Sequence, residues 1–164
     1  MAITAPKKNI KGISVIEILI VIGILGVTLT SLLGLASFSL GGVGLLRNVT
    51  QANAIAQETM EAARNFRDQT SWNSSGIGTF PLESPYHPEI TIDSLWTLAA
   101  GEQVVEVYTR KVVFSRVYRD LNGNISSSGT EDTDTRKISV TVSWQERGGT
   151  RQIELITYFT NWKR

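Results

Sequence analysis

Lys11-Gly12-Ile13-Ser14-Val15-Ile16-Glu17, and the run without a charged side chain that follows from Ile18 to Leu46, decide how this chain is organised. The run is longer than the ~20 apolar residues a helix needs to cross a bilayer. It is rich in Ile, Leu and Val, and in lipid only a continuous helix satisfies such a backbone from within. Yet it opens on an acid. A carboxylate within a membrane span costs roughly 2.5 to 3.5 kcal/mol at the helix centre and less towards the edge, so Glu17 calls for a partner.

The residues before the run are short, polar and basic. Lys7, Lys8 and Lys11 place that end in the cytoplasm by the positive-inside rule, and everything after Leu46 outside. A secretory signal peptide has an apolar core of only about 7 to 15 residues, which this run exceeds. A plain signal anchor passes the length test, and only the Gly12 and Glu17 pattern speaks against it.

That pattern carries a family resemblance. Lysines, then Gly12, then an apolar residue, then Glu17 resembles the class III leader of type IV pilins and type II secretion pseudopilins. The resemblance implies cleavage by a prepilin peptidase between Gly12 and Ile13, with N-methylation of Ile13. It implies that Glu17 is the assembly acid, pairing with the N-terminal amine of a neighbouring subunit, and that Lys7, Lys8 and Lys11 hold the leader at the cytoplasmic face. The family usually has phenylalanine where this chain has Ile13, a departure that preserves polarity. The implied partners are the peptidase, other pilin subunits, an assembly platform protein with its ATPase, and membrane lipid. The inner membrane, with the N-terminus inside, and then a filament would be the location.

Glycines recur through the run at Gly23, Gly26, Gly34, Gly41, Gly42 and Gly44. Each costs about 1 kcal/mol against alanine within a helix, and small residues let membrane helices approach closely. Membrane helices also simply tolerate glycine. The resemblance singles out Gly26 and Gly34, because pilin helices unwind locally in this region on packing into a filament.

From Asn48 to Asp68 the pattern turns amphipathic. Leu46, Val49, Ala52, Ala56, Met60, Ala63 and Phe66 share one stripe at three-and-four spacing. Glu61 and Arg64, and Arg64 and Asp68, are spaced for mutual support. A helix from Ile13 to Asp68 would be about 80 Å long. Thr70 to Gly76 is a cluster of breakers, and Gly78 to Pro88 reads as a proline-rich loop with a short edge strand near Phe80. Trp72, Tyr86 and Trp96 are expected to cap the core. Val104 to Tyr118 reads as a bent strand or a hairpin, and Asp120 to Asn124 as a turn. Ile138, Val140, Val142 and Trp144 alternate strictly with polar residues, Gly148-Gly149 turns, and Arg151 to Asn161 returns with Ile153, Leu155 and Phe159 inward.

The expected fold is therefore α+β and pilin-like, a long N-terminal helix packed on a small antiparallel sheet. The expected parts are a leader (1–12), an apolar assembly helix (13–46), an amphipathic continuation (47–70) and a β-sheet head (71–164). Of 16 basic residues three lie in the leader, which leaves 13 against 15 acidic ones, a formal balance of −2. No cysteine is present, so disulfides, thiol nucleophiles and cysteine zinc sites are excluded.

Other chemistry has thin support. Asp120, Asn122 and Asn124, with Glu131, Asp132 and Asp134, echo a calcium loop, but Gly123 comes two places before the glycine such a loop needs. A solvated hairpin loop is the expectation. His87 is the one histidine, and no G-x-S-x-G, H-E-x-x-H or phosphate-loop motif occurs. Arg110, Lys111, Arg116 and Arg119 could meet an anion or DNA backbone, but they lie among Glu102, Glu106 and Asp120 and read as surface charge. The expected function is a structural filament subunit without enzymatic activity or cofactor, and DNA is not an expected partner. Ala56-Gln57-Glu58…Glu61-Ala62-Ala63-Arg64 and the Val140 to Trp144 strand resemble minor pilins of the secretion I-component and pilus-modification class. The competing reading is a single-pass, membrane-anchored extracytoplasmic binding protein that does not polymerise.

Overall fold

A computed structural model describes residues 12, 14–146 and 148–162. One helix, α1 (Val15–Gln69), is followed by a single 3-10 turn (Ile77–Thr79). Seven strands come next: β1 (Pro85–Ile90), β2 (Trp96–Ala100), β3 (Gln103–Val105), β4 (Tyr108–Arg119), β5 (Ile125–Ser126), β6 (Thr130–Glu146) and β7 (Gly149–Thr160). The helix thus runs through the apolar run and its amphipathic continuation alike. The chain divides into two compact units, Met1–Leu46 and Arg47–Arg164.

In the second unit the final turns of α1 pack on the sheet. Ala52, Ile55, Ala56, Thr59, Met60, Ala63 and Phe66 are buried there. The expected stripe was narrower, and it included Leu46, which is exposed. Thr59 is a polar residue in this stripe, and its hydroxyl is satisfied by donating to the Ile55 carbonyl at 2.7 Å. The helix stops where the Thr70 amide and hydroxyl both turn back onto the Phe66 carbonyl, at 3.1 and 2.7 Å. Trp72 follows and caps the core, its indole donating to the Thr133 carbonyl at 3.3 Å.

All seven strands pair antiparallel in one sheet, in the order β2-β1-β4-β6-β7, with β3 and β5 also on β4. Strand β6 makes the centre of the core. Ile138, Val140, Val142 and Trp144 are all buried, as their alternation requires. The β6–β7 register is uninterrupted from Thr135↔Thr160 to Glu146↔Gly149. On β4 the inward set is Tyr108, Arg110, Val112 and Phe114, and a bulge between Arg116 and Tyr118 then turns Val117 inward. An aromatic cluster of Phe66, Phe80, Tyr86 and Phe114, with centroids 4.8 to 5.8 Å apart, ties helix, loop and sheet together.

The region expected to be a proline-rich loop differs. Its strand lies not near Phe80 but at Pro85–Ile90, paired with β2 as a hairpin. Two prolines fit because β1 meets β4 only at Pro85 and Tyr86, which leaves Pro88 with no second strand that would require its missing N–H. Val104 to Tyr118 is a hairpin, with β3 folding back on β4 through Glu106 and Val107.

Candidate functional site

The first unit is a surface in search of cover. Along α1 the side chains of Val15, Ile16, Ile18, Leu19 and Ile20 through to Val43 and Leu46 are exposed, and the most apolar window of the helix has none of its area buried. A contiguous apolar patch of this extent does not stay in water. The helix is long and apolar enough to cross a membrane.

Three hydroxyls near its middle are arranged for that setting. The Thr28 hydroxyl donates to the Leu25 carbonyl at 2.9 Å, and that of Ser31 to Val27 at 2.8 Å. Thr30 reaches both Val27 and Gly26, at 2.9 and 3.1 Å. Each hydroxyl is thus satisfied within its own helix, which removes the cost of placing it in hydrocarbon. Gly26 and Gly34 sit within unbroken helix, and a Cβ at either would meet open space, so neither is required there by close contact.

Glu17 is an exposed carboxylate in the first turn of α1. The Ser14 carbonyl accepts from the amides of Glu17, at 3.0 Å, and Ile18, at 3.3 Å. Ser14 therefore stands at the N-cap and Glu17 three residues into the helix, the spacing of a capping box. The S-x-x-E signal before an apolar run was present in the sequence and went unread. It gives Glu17 a local reason to be an acid, since the helix N-terminus favours negative charge. Among the described residues no cation pairs with Glu17. Gly12 is exposed one residue outside the Ile13 position, whereas Lys7, Lys8, Lys11 and Ile13 lie outside the described residues.

In the second unit the four cations of β4 do not form a one-signed stripe. Arg110 is buried and pairs with Glu58 of α1, its Nε donating also to Gln103. Lys111 pairs with Glu102 at 2.7 Å, Arg116 with Glu131 at 3.8 Å and Arg119 with Asp132 at 2.6 Å. Arg110 was expected on the surface. It occupies a core position of the strand and clamps helix to sheet, a role its parity with Tyr108, Val112 and Phe114 could have revealed.

Asp120 does not reach out for an ion. Its Oδ1 accepts the amides of Asn122 and Asn124, both at 2.9 Å, closing the turn that Gly123 completes at φ +82°. These amides, that of Asn124 foremost, hold the Asp120 carboxyl below the usual carboxylate range. No group of three or more ligating side chains among the described residues could hold a metal ion. His87 is largely covered on β1 between the Gly101 carbonyl and the Glu89 carboxylate, each at 3.1 Å. The cleft at the end of α1, about 310 Å³ in volume, is lined by residues such as Arg67, Gln69, Trp72 and Trp162, with no carboxylate, imidazole or thiol in its wall. No family model, curated protein or solved structure matches the chain.

Proposed function

We propose that this chain is a structural subunit of an extracytoplasmic filament of the type IV pilus or type II secretion kind, anchored in the membrane and assembled through α1. The observation that carries the reading is the uncovered apolar surface from Val15 to Leu46 with a single carboxylate, Glu17, in its first turn. Such a surface needs either lipid or other helices around it. A subunit that waits in the bilayer and then joins a helical bundle uses both in turn. The α+β layout, one long helix with an antiparallel sheet on its final turns, is the layout such a subunit needs.

In this reading the peptidase removes residues 1–12 and leaves the amine of Ile13 next to the helix start. Glu17 then meets the amine of a neighbouring subunit in an apolar setting, where a charge pair is screened far less than at a surface. A platform protein and ATPase would supply the extraction from lipid.

Intact-mass and N-terminal mapping of the chain, produced with and without an active prepilin peptidase, tests this. The expected product begins at N-methylated Ile13. A chain that keeps Met1 or Ala2 in the presence of the peptidase overturns the reading and leaves a simple signal anchor.

A further inference from the structure

The sheet ends in two strands that pair on one side only. Among the described residues β7 is bonded to β6 alone and β2 to β1 alone. The Asn161 amide donates to the Asp134 carbonyl at 2.8 Å, one step beyond the Thr135↔Thr160 pair. In an antiparallel ladder alternate pairs exchange both bonds, so the odd-numbered residues of β7 are those that bond β6. The amides and carbonyls of Gln152, Glu154, Ile156 and Tyr158 therefore point off the sheet. On β2 the bonds from the Thr91 amide to Leu95 and from the Gly101 amide to Pro85, each 2.8 Å, bracket the ladder in the same way. They leave Trp96, Leu98 and Ala100 with their backbone groups directed outward.

Free edges are ordinarily guarded by a proline, a bulge or an inward-pointing charge. Neither of these carries one. The β6–β7 register is unbroken, and from Gln152 to Thr160 the sole charged residue is Glu154, exposed on the outer face. Trp96 to Ala100 contains no charge and no proline. Ile156 and Tyr158 stand on the outer face of β7, 51% and 43% exposed. On its inner face Ile153 and Leu155 are only partly covered by the core.

We infer that β7 of one copy of this chain pairs with β2 of the next, joining their sheets edge to edge. The inference rests on the filament reading above. A repeating assembly needs two different surfaces that fit each other, because an edge that pairs with its own copy closes at two subunits. The two free edges of this sheet supply them. Through β1, β4 and β6, each antiparallel to the next, β2 and β7 run in the same direction. A neighbour in the same orientation therefore offers β2 to β7 as a parallel strand. The side chains suit that pairing. With Leu98 buried on the inner face, alternation puts the small Thr97 and Ala99 on the outer one, level with the bulkier Ile156 and Tyr158. Leu98 then extends the inner face where Ile153 and Leu155 are partly covered. No like charges meet, since β2 has none. The ladder is limited to the 5 residues of β2, so it adds to the packing of α1 rather than replacing it.

The absence of cysteine makes the test direct. Two differently tagged copies of the full chain would be produced together in cells with an active prepilin peptidase and assembly machinery. One copy would carry Ala99→Cys, and the other Glu154→Cys, Ile156→Cys or Tyr158→Cys, which covers the registers open to β2 along β7. Sheared filaments would be oxidised with copper phenanthroline. Leu121→Cys, fully exposed in a loop, paired with Ala99→Cys reports chance collision. The expected result is a mixed dimer at one of the three positions, several-fold above that reference. Filaments with no mixed dimer above the reference overturn the edge pairing and leave the filament reading standing. Ile156→Cys linking to itself as strongly as to Ala99→Cys marks β7 paired with β7, and also overturns it. Absence of the unsubstituted chain from the sheared fraction removes the filament reading, and the edge pairing with it.

Discussion

Arg110 on β4 and Glu58 on α1 are joined across the helix–sheet interface, Nη1 to Oε1 at 2.9 Å, with 8% of the arginine side chain and 55% of the glutamate side chain exposed. The guanidinium is the buried partner, and it is also held by Gln103, Thr59 and the Pro88 carbonyl. The two halves of the pair should therefore respond differently. Glu58→Gln keeps an acceptor in place and removes a half-solvated charge, which should cost at most about 1 kcal/mol. Arg110→Ala removes several bonds and a packed stem and should cost about 2 to 4 kcal/mol. Urea unfolding of the full chain in detergent, followed by tryptophan fluorescence, reads both. Equal losses for the two variants would show that the charge pair alone carries the clamp.

A second prediction concerns acid. The Asp132 carboxyl is raised by partial burial, but Arg119 at 2.6 Å, with Thr135 and the Asp134 amide, more than offsets that and leaves it below the usual carboxylate value. Asp120 is lowered too, by the amides of its own turn. A carboxyl whose folded value lies below its unfolded one contributes stability above the unfolded value, and loses it as pH falls through the folded value. The unfolding midpoint should thus be flat from about pH 7 to 5 and fall below about pH 4. Asp132→Asn should lower the midpoint at neutral pH and make the acid limb shallower. An unchanged acid limb in Asp132→Asn and Asp120→Asn together would place the acid sensitivity elsewhere.

Gly129 offers a backbone test. It lies between β5 and β6 at φ +138°, and a Cβ there would collide with the Arg119 carbonyl oxygen. Gly148 also has positive φ, at +107°, but a Cβ there meets nothing. Gly129→Ala should therefore cost about 2 kcal/mol or more, combining strain with a clash against backbone. Gly148→Ala pays for its conformation only and should cost about half as much. Comparable unfolding midpoints for the two variants would show that the Gly129 turn opens without resistance.

These sites also show where the sequence was readable and where it was not. The helix from Val15 to Gln69 was legible because an uncharged run that only a helix satisfies in lipid passes into a stripe of 3.6-residue period, and the β6–β7 hairpin because it alternates with a period of 2. The β1–β2 hairpin was hidden because Pro85 and Pro88 demote any strand that contains them, and only the tertiary arrangement leaves those positions without a second strand partner. Arg110 was misread for a related reason. Its charge masked an inward position that the neighbours Tyr108 and Val112 define, and the acid that makes burial tolerable lies on α1, far away in sequence. Just ahead of the apolar run, Glu17 was singled out for its charge against an uncharged background, and α1 begins at Val15 with Glu17 in its first turn. Its N-cap partner Ser14 escaped notice because the long run behind it drew the whole argument.

The decisive prediction concerns Glu17 itself. Two roles are available to an acid three residues into a helix: holding the helix start, and meeting a cation from outside. They separate under substitution. A capping role is local, so Glu17→Gln, which keeps an oxygen acceptor at the Ser14 end, should preserve it. A charge-pairing role needs the negative charge, so Glu17→Gln should fail nearly as badly as Glu17→Ala. If the proposed assembly is right, both variants will be cleaved after Gly12 and retained in the membrane, and their share in sheared filaments will fall at least tenfold, since only ~1.4 kcal/mol of lost pairing suffices for that. Glu17→Asp, with the charge one methylene shorter, should recover part of the loss. Immunoblots of membrane and filament fractions measure all three. Normal incorporation of Glu17→Gln would leave the capping role as the reason for the acid, and the charge would have no part in assembly.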